Sequence, residues 1–179
     1  MSLFVLHMLV KTEWRGRVNT MRIFLLSLLC LVVTGVSLLV LLQEKSSATL
    51  PTEVATITTP SGSVQRFRLE VAREAPDLER GLMFRTSLAI DAGMLFIFPV
   101  PQEIKMWMKN TLIPLDMLFV GFDGVIHTLH PNAKPQDLTV IASGGVVVAA
   151  VEIAGGRAAE LGIVEGSRIS SDSLTPLFH

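Results

Sequence analysis

Residues 23–42 read IFLLSLLCLVVTGVSLLVLL, an apolar run of twenty residues without a charge. Coiled as a helix it reaches about 30 Å, the hydrocarbon thickness of a bilayer. A buried helix of a soluble domain keeps a polar stripe, and this run has none, so it is expected to cross a membrane. Further along, the period changes to two. Val64 to Val71 (VQRFRLEV) alternates as a strand with one wet face should. Gly93 to Val100 (GMLFIFPV) is a nearly all-apolar strand, expected to stop at Pro99 and Pro101. Ile104 to Met108 alternates again. Leu115 to Phe122 and Gly124 to Leu129 read as two strands around Asp123-Gly124, the best hairpin signal in the chain. Val146 to Ile153 is a further strand, and a last short one lies near Arg168-Ile169-Ser170. Helical signals are brief: Glu74 to Arg80, ended by Gly81, and Gly155 to Leu161, closed by Gly162.

This pattern predicts an α+β fold. The expected form is a compact strand-dominated domain, with a curled antiparallel or mixed sheet or a partly open small barrel and one or two short helices. One N-terminal transmembrane helix precedes it. No connection carries the repeated helices of a doubly wound parallel sheet. The expected organisation is a basic cytoplasmic segment over 1–22, the membrane helix or uncleaved signal anchor over 23–42, and a polar tether over 43–63. One domain over 64–171 and a tail over 172–179 complete the chain.

Charge orients the membrane segment. Lys11, Arg15, Arg17 and Arg22 precede it against Glu13 alone, which places the N-terminus inside and the domain in the periplasm or outside. A cleaved signal peptide, with a secreted or periplasmic product, is the alternative, above all if translation starts at Met21. The run is long for a cleavable signal, and Ser46-Ser47-Ala48 makes a mediocre cleavage site. From residue 43 onward acidic residues outnumber basic ones by 15 to 11, with no basic block, which argues against a nucleic-acid partner. The single cysteine, Cys30, lies inside the apolar run, so the domain has no intramolecular disulfide, redox pair or thiolate metal site. Asp123, His127 and His130 form the one metal-like grouping, and the His127–His130 pair lacks a clear third ligand. Neither a metal nor a cofactor is expected.

The densest cluster of unlike chemistries is Trp107-Met108-Lys109-Asn110-Thr111, followed by Pro114-Leu115-Asp116. A cation, an amide and a hydroxyl beside an aromatic wall can cradle an anionic or polar ligand. The competing structural reading has Asn110 and Thr111 closing a turn, Trp107 in the core, and Asp116 paired with Lys109 or Arg85. Glu152 stands in an otherwise apolar strand, VVVAAVEIAGG. It either faces water or is held by a cation such as Arg85, Lys105 or Lys109, and a buried Glu there would carry a shifted pKa.

Four strings resemble the motifs of the DUF192 family. They are Gly81-Leu82-Met83-Phe84-Arg85, Gly93-Met94-Leu95-Phe96-Ile97-Phe98, the WMKNT-x-x-PLD string from Trp107 to Asp116, and Val151-Glu152-Ile153-Ala154-Gly155-Gly156. The similarity runs from about Phe67 to Ile169. It implies a small strand-rich domain of unassigned activity, often behind an N-terminal signal or anchor. It also implies that Arg85, Trp107, Lys109, Asn110, Asp116 and Glu152 form one constellation. Two departures stand out: Met106 replaces the usual aromatic before the WMKNT string, and Gly166-Ser167 replaces the usual Gly-Asp pair.

The expected function is that of a membrane-tethered extracytoplasmic domain that binds a small polar or anionic ligand, or serves as an accessory to an envelope protein. Arg85, Trp107, Lys109, Asn110, Thr111, Asp116 and Glu152 are the candidate ligand-binding residues, with Asp116 and Glu152 holding the cations in place. The alternatives are an envelope hydrolase with Asp116 or Glu152 as general base, and a purely structural domain.

Overall fold

The computed structural model describes residues 49–177. The expected membrane helix over 23–42 and the basic segment before it lie outside the described residues. The domain is built from β1 (Thr52–Thr58), β2 (Val64–Ala72), α1 (Ala75–Arg80), β3 (Ala92–Met106) and β4 (Leu115–Val120). It continues through β5 (Ile126–Ala133), β6 (Ile141–Ala154), α2 (Arg157–Leu161) and β7 (Arg168–Ser170), then a 3₁₀ turn at Thr175–Leu177.

The seven strands form one sheet in the order β5-β4-β6-β3-β2-β1-β7. Every pairing is antiparallel except β2 with β3, which run parallel. A parallel pair needs a crossover. Here the crossover carries α1 and the loop after it, and so lays the Gly81–Arg85 string across one face of the sheet. The two edges curl toward each other. Val125 bridges Arg168, Ile126 N–H donates to Ser167 O at 2.8 Å, and Ile169 N–H donates to Gly124 O at 2.8 Å. The result is a curled, half-barrel sheet.

Strand alternation divides the apolar side chains into two cores. Phe67, Leu69, Leu95, Leu118, Val151 and Ile153 point into the curl. Met94, Phe96, Met117, Phe119 and Ala150 point the other way, where Leu82, Met108 and Leu115 cover them. β4 is therefore buried at every position, and its sequence LDMLFV reads as a continuous apolar run broken only by Asp116.

Several boundaries differ from the sequence expectation, among them the start of β6, at Ile141 rather than Val146, and the end of β4, at Val120 rather than Phe122. β3 continues through Pro99 and Pro101. Its register against β6 shifts between Ile97 and Gln102, so the prolines fall where no ladder donor is needed. The second strand of the Asp123-Gly124 hairpin lies at Ile126–Ala133, later than expected, because Val125 is taken up in the edge bridge. The stretch assigned to a tether contains β1, whose Ala55 and Ile57 are fully buried. Its threonines suit a strand, but the apolar positions are too few to stand out in a Ser/Thr/Pro-rich segment.

Candidate functional site

Glu152 lies on β6 directly opposite Met94 of β3 and Met117 of β4. Cross-strand partners share a face, so its side chain enters the second core among methionines and Phe96. It is only 5% exposed, and its Oε2 is enclosed without a hydrogen-bond partner. Burial raises its carboxyl from the usual 4.5 to about 8. The sequence allowed either a wet-face Glu or a Glu held by Arg85, Lys105 or Lys109. Neither arrangement is present.

A cleft of about 190 Å³ opens above this carboxyl. Leu78, Arg80, Gly81 and Leu82 form one wall, Phe96 and Lys105 of β3 another, and Trp107 and Thr111 close it. Gly81 decides the access. A Cβ built there would sit 3.1 Å from the Phe96 ring and 3.8 Å from Glu152 Oε2. Its backbone (φ 49°, ψ −135°) is one that side chains disfavour, which suits the residue that ends α1 and turns the chain over the cleft.

The loops around the mouth are tied together. Phe84 N–H donates to Asn110 O at 2.9 Å, and both residues adopt left-handed backbone, with φ of 65° and 55°. For Phe84 that conformation is strained, and its ring projects into solvent at 62% exposure. Arg85 donates from both terminal nitrogens to the two oxygens of Glu70, at 2.7 and 2.6 Å. This fork pins the loop to β2 from outside the cleft. Both partners are partly solvated, with side chains 36% and 25% exposed. A double-mutant cycle of Arg85→Ala and Glu70→Ala is expected to give a coupling of about 0.5–1 kcal/mol that shrinks with added salt. A coupling near zero at low salt would mean that the fork does not hold the loop.

Of the seven residues expected to form the site, Trp107, Thr111 and Glu152 line the cleft. Lys109 is exposed, with its ammonium 5.6 Å from the centre of the Trp107 ring. Asn110 bridges the two loops through its backbone. Asp116 belongs elsewhere. Adjacent residues of a strand face opposite ways, and Asp116 precedes Met117, so it points away from the face that carries Glu152. It is fully buried. One oxygen accepts from Asn132 N–H at 2.7 Å and Gly156 N–H at 2.9 Å, and the other accepts from Ala158 N–H at 2.7 Å. These bonds tie β5 and the start of α2 to β4. Asp116 therefore holds no cation of the cleft, as had been expected of it, and its oxygens are committed to backbone.

The sequence reading missed Arg80 as a residue of the cleft and considered Lys105 only as a partner for Glu152. The alternation of Ile104 to Met108 put Lys105 beside Trp107. No sequence signal placed Arg80 there, because the crossover brings it. Among the described residues no group of three or more metal-ligating side chains is present.

Fold and site together define a small half-barrel α+β domain with a partnerless carboxyl beneath a solvent-open cleft. The DUF192 family model, described as "Uncharacterized ACR", matches residues 56–171, and the chain belongs to that family. Among solved structures, it resembles a protein of Sinorhizobium meliloti 1021 proposed to be a transcription regulator. That match has 37% identity and a TM-score of 0.69, and covers 70% of this chain and 98% of the other. A protein of unknown function from Novosphingobium aromaticivorans DSM 12444 matches at 40% identity with a TM-score of 0.67, over 70% of this chain and 89% of its own. No curated protein matches this chain.

Proposed function

We propose that the cleft over Glu152 binds a small polar ligand, and that the domain is displayed outside the cytoplasm on the membrane anchor at 23–42. The observation that carries this reading is the enclosed, partnerless Oε2 of Glu152. An unmet buried polar atom costs about 1–3 kcal/mol, and a ligand that donates to it would offset that cost. Trp107 offers a half-exposed ring at the mouth, and Thr111 adds a hydroxyl. The basic residues that precede the apolar run support the placement of the domain.

The solved Sinorhizobium chain corresponds to little more than this domain, so residues 49–177 form a suitable unit for testing. A thermal-shift screen against envelope metabolites, glycans and peptides is expected to find a saturable rise in melting temperature for the wild type. Trp107→Ala, at a half-exposed position, should weaken that response about tenfold while the protein stays folded. No stabilising compound in such a screen, or a response that Trp107→Ala leaves untouched, would remove the cleft as a binding site.

A hydrolase reading is favoured by the burial of the Glu152 carboxyl at the cleft, which raises it to about 8. Such a group holds its proton at neutral pH and suits a general acid. On that reading the catalytic residue is Glu152, and Asp116 has no part. Turnover of any ligand found in the screen, lost in Glu152→Gln, separates hydrolysis from binding.

A further inference from the structure

We propose that the ligand of this cleft is a small amino compound with an acidic far end, its ammonium group donating to the Glu152 carboxylate and its acid meeting Arg80 and Lys105 at the mouth. The inference rests on the reading of the cleft as a binding site and goes further by naming the chemical class.

Three features of the site select that class. The floor presents a carboxyl that lacks a protein partner, since Glu152 lines the cleft at 5% exposure and its Oε2 is unbonded. An anionic group could meet only the protonated carboxyl, accepting its O–H beside the Phe96 ring, and would hold the proton on Glu152. An ammonium supplies the missing donors and a charge that the ionised carboxylate neutralises, so the two enter the low-dielectric floor as a pair. The mouth has the opposite preference. Arg80 and Lys105 line it against the single acid Glu79, and none of the three forms a hydrogen bond or ion pair with Glu152. A bare cation would be repelled on entry, whereas a molecule with an acid at its outer end is attracted. The volume, about 190 Å³, is below the range typical of drug-sized ligands and fits a compound of amino-acid size.

Binding of an ammonium requires the carboxyl to release its proton. Burial holds that carboxyl at about 8, so at pH 7 it is mostly protonated and close to one proton leaves for each ligand bound. The proton passes to solvent, and no bond in the ligand is broken.

The test uses the domain 49–177 with Glu carboxyl carbons labelled for NMR, at pH 7, against three probes: β-alanine, propionate and ethylene glycol. Propionate is β-alanine without the amine, and ethylene glycol donates without charge. The expected result is that β-alanine binds at least tenfold more tightly than propionate and moves the Glu152 carboxyl signal to its ionised position. In Glu152→Gln, which keeps the shape of the side chain, that preference should fall to below twofold. Saturable binding of propionate or ethylene glycol at the cleft, with β-alanine no better, would overturn the amine while leaving the cleft as a polar site. A β-alanine preference that survives in Glu152→Gln, or binding with Glu152 still protonated, would also overturn it. Should no probe shift any cleft residue at saturating concentration, the amine assignment and the binding reading fall together.

Discussion

Replacing Glu152 by Gln is expected to raise the melting temperature of the domain at pH 8 and to leave it nearly unchanged at pH 4.5. The unfolded chain loses the Glu152 proton near 4.5, whereas burial keeps it in the folded state up to about 8. Between those values the unfolded state binds fewer protons than the native state, so stability falls as pH rises. Each unit of pH within that window removes about 1.4 kcal/mol, and the loss at pH 7 is on the order of 3 kcal/mol. Below 4.5 both states are protonated and the penalty vanishes. Above about 8 both are ionised and it stays constant. Gln has nearly the same shape and never ionises, so it removes the penalty and leaves the packing against Met94, Met117 and Phe96 in place. Denaturant titrations of wild type and Glu152→Gln at half-unit steps from pH 4.5 to 8.5 would show the two stabilities diverging. Parallel curves would mean that Glu152 is ionised or solvated in the native protein, and the cleft reading would lose its principal support.

The other large effect is expected at Asp116. Truncation by Asp116→Ala leaves three backbone N–H groups, from Asn132, Gly156 and Ala158, without their acceptor, the last of them buried. The expected loss is about 3–5 kcal/mol, enough to consume much of the stability of a small domain. Asp116→Asn keeps one acceptor and turns an amide donor toward a backbone donor, so it should fall between the two. Urea unfolding with the slope of the transition unchanged would report the loss cleanly. The comparison is Lys109→Ala, at an exposed position, for which a change within about 0.5 kcal/mol is expected. An Asp116→Ala protein as stable as the wild type would show that α2 and β5 are held by something other than this carboxylate. It would also reopen a chemical role for the residue.

These two carboxylates show how much of the protein was legible in its residues. Both stand in apolar strands; the sequence marked Glu152 for that reason and Asp116 for its place after the WMKNT string. It could not separate their roles. The alternation of β4 and β6 sends Asp116 and Glu152 to opposite faces of the sheet, but only their register against each other reveals it. The WMKNT string, singled out in the sequence, contributes Trp107 and Thr111 to the cleft lining. Lys109 and Asn110 serve the rim, and Arg85, expected among the ligand cations, is paired with Glu70 on the outside. β1 escaped notice because a short half-buried strand with threonines reads like the polar approach around it.

The sequence by itself determined the family, the strand-rich class and the period-two faces of most strands. Each of these depends on residues close together along the chain, where backbone geometry turns spacing into direction. It also supplied the charge-flanked apolar run that reads as a membrane anchor. Only the tertiary structure decided that both faces of the central strands are covered, that the sheet edges meet through Val125 and Arg168, and that the crossover carries Arg80 and Gly81 over Glu152. Burial and pairing arise between segments distant in sequence. A carboxyl becomes a site or a strut according to which backbone donors the fold brings within 3 Å of it, as it does for Asp116 and does not for Glu152.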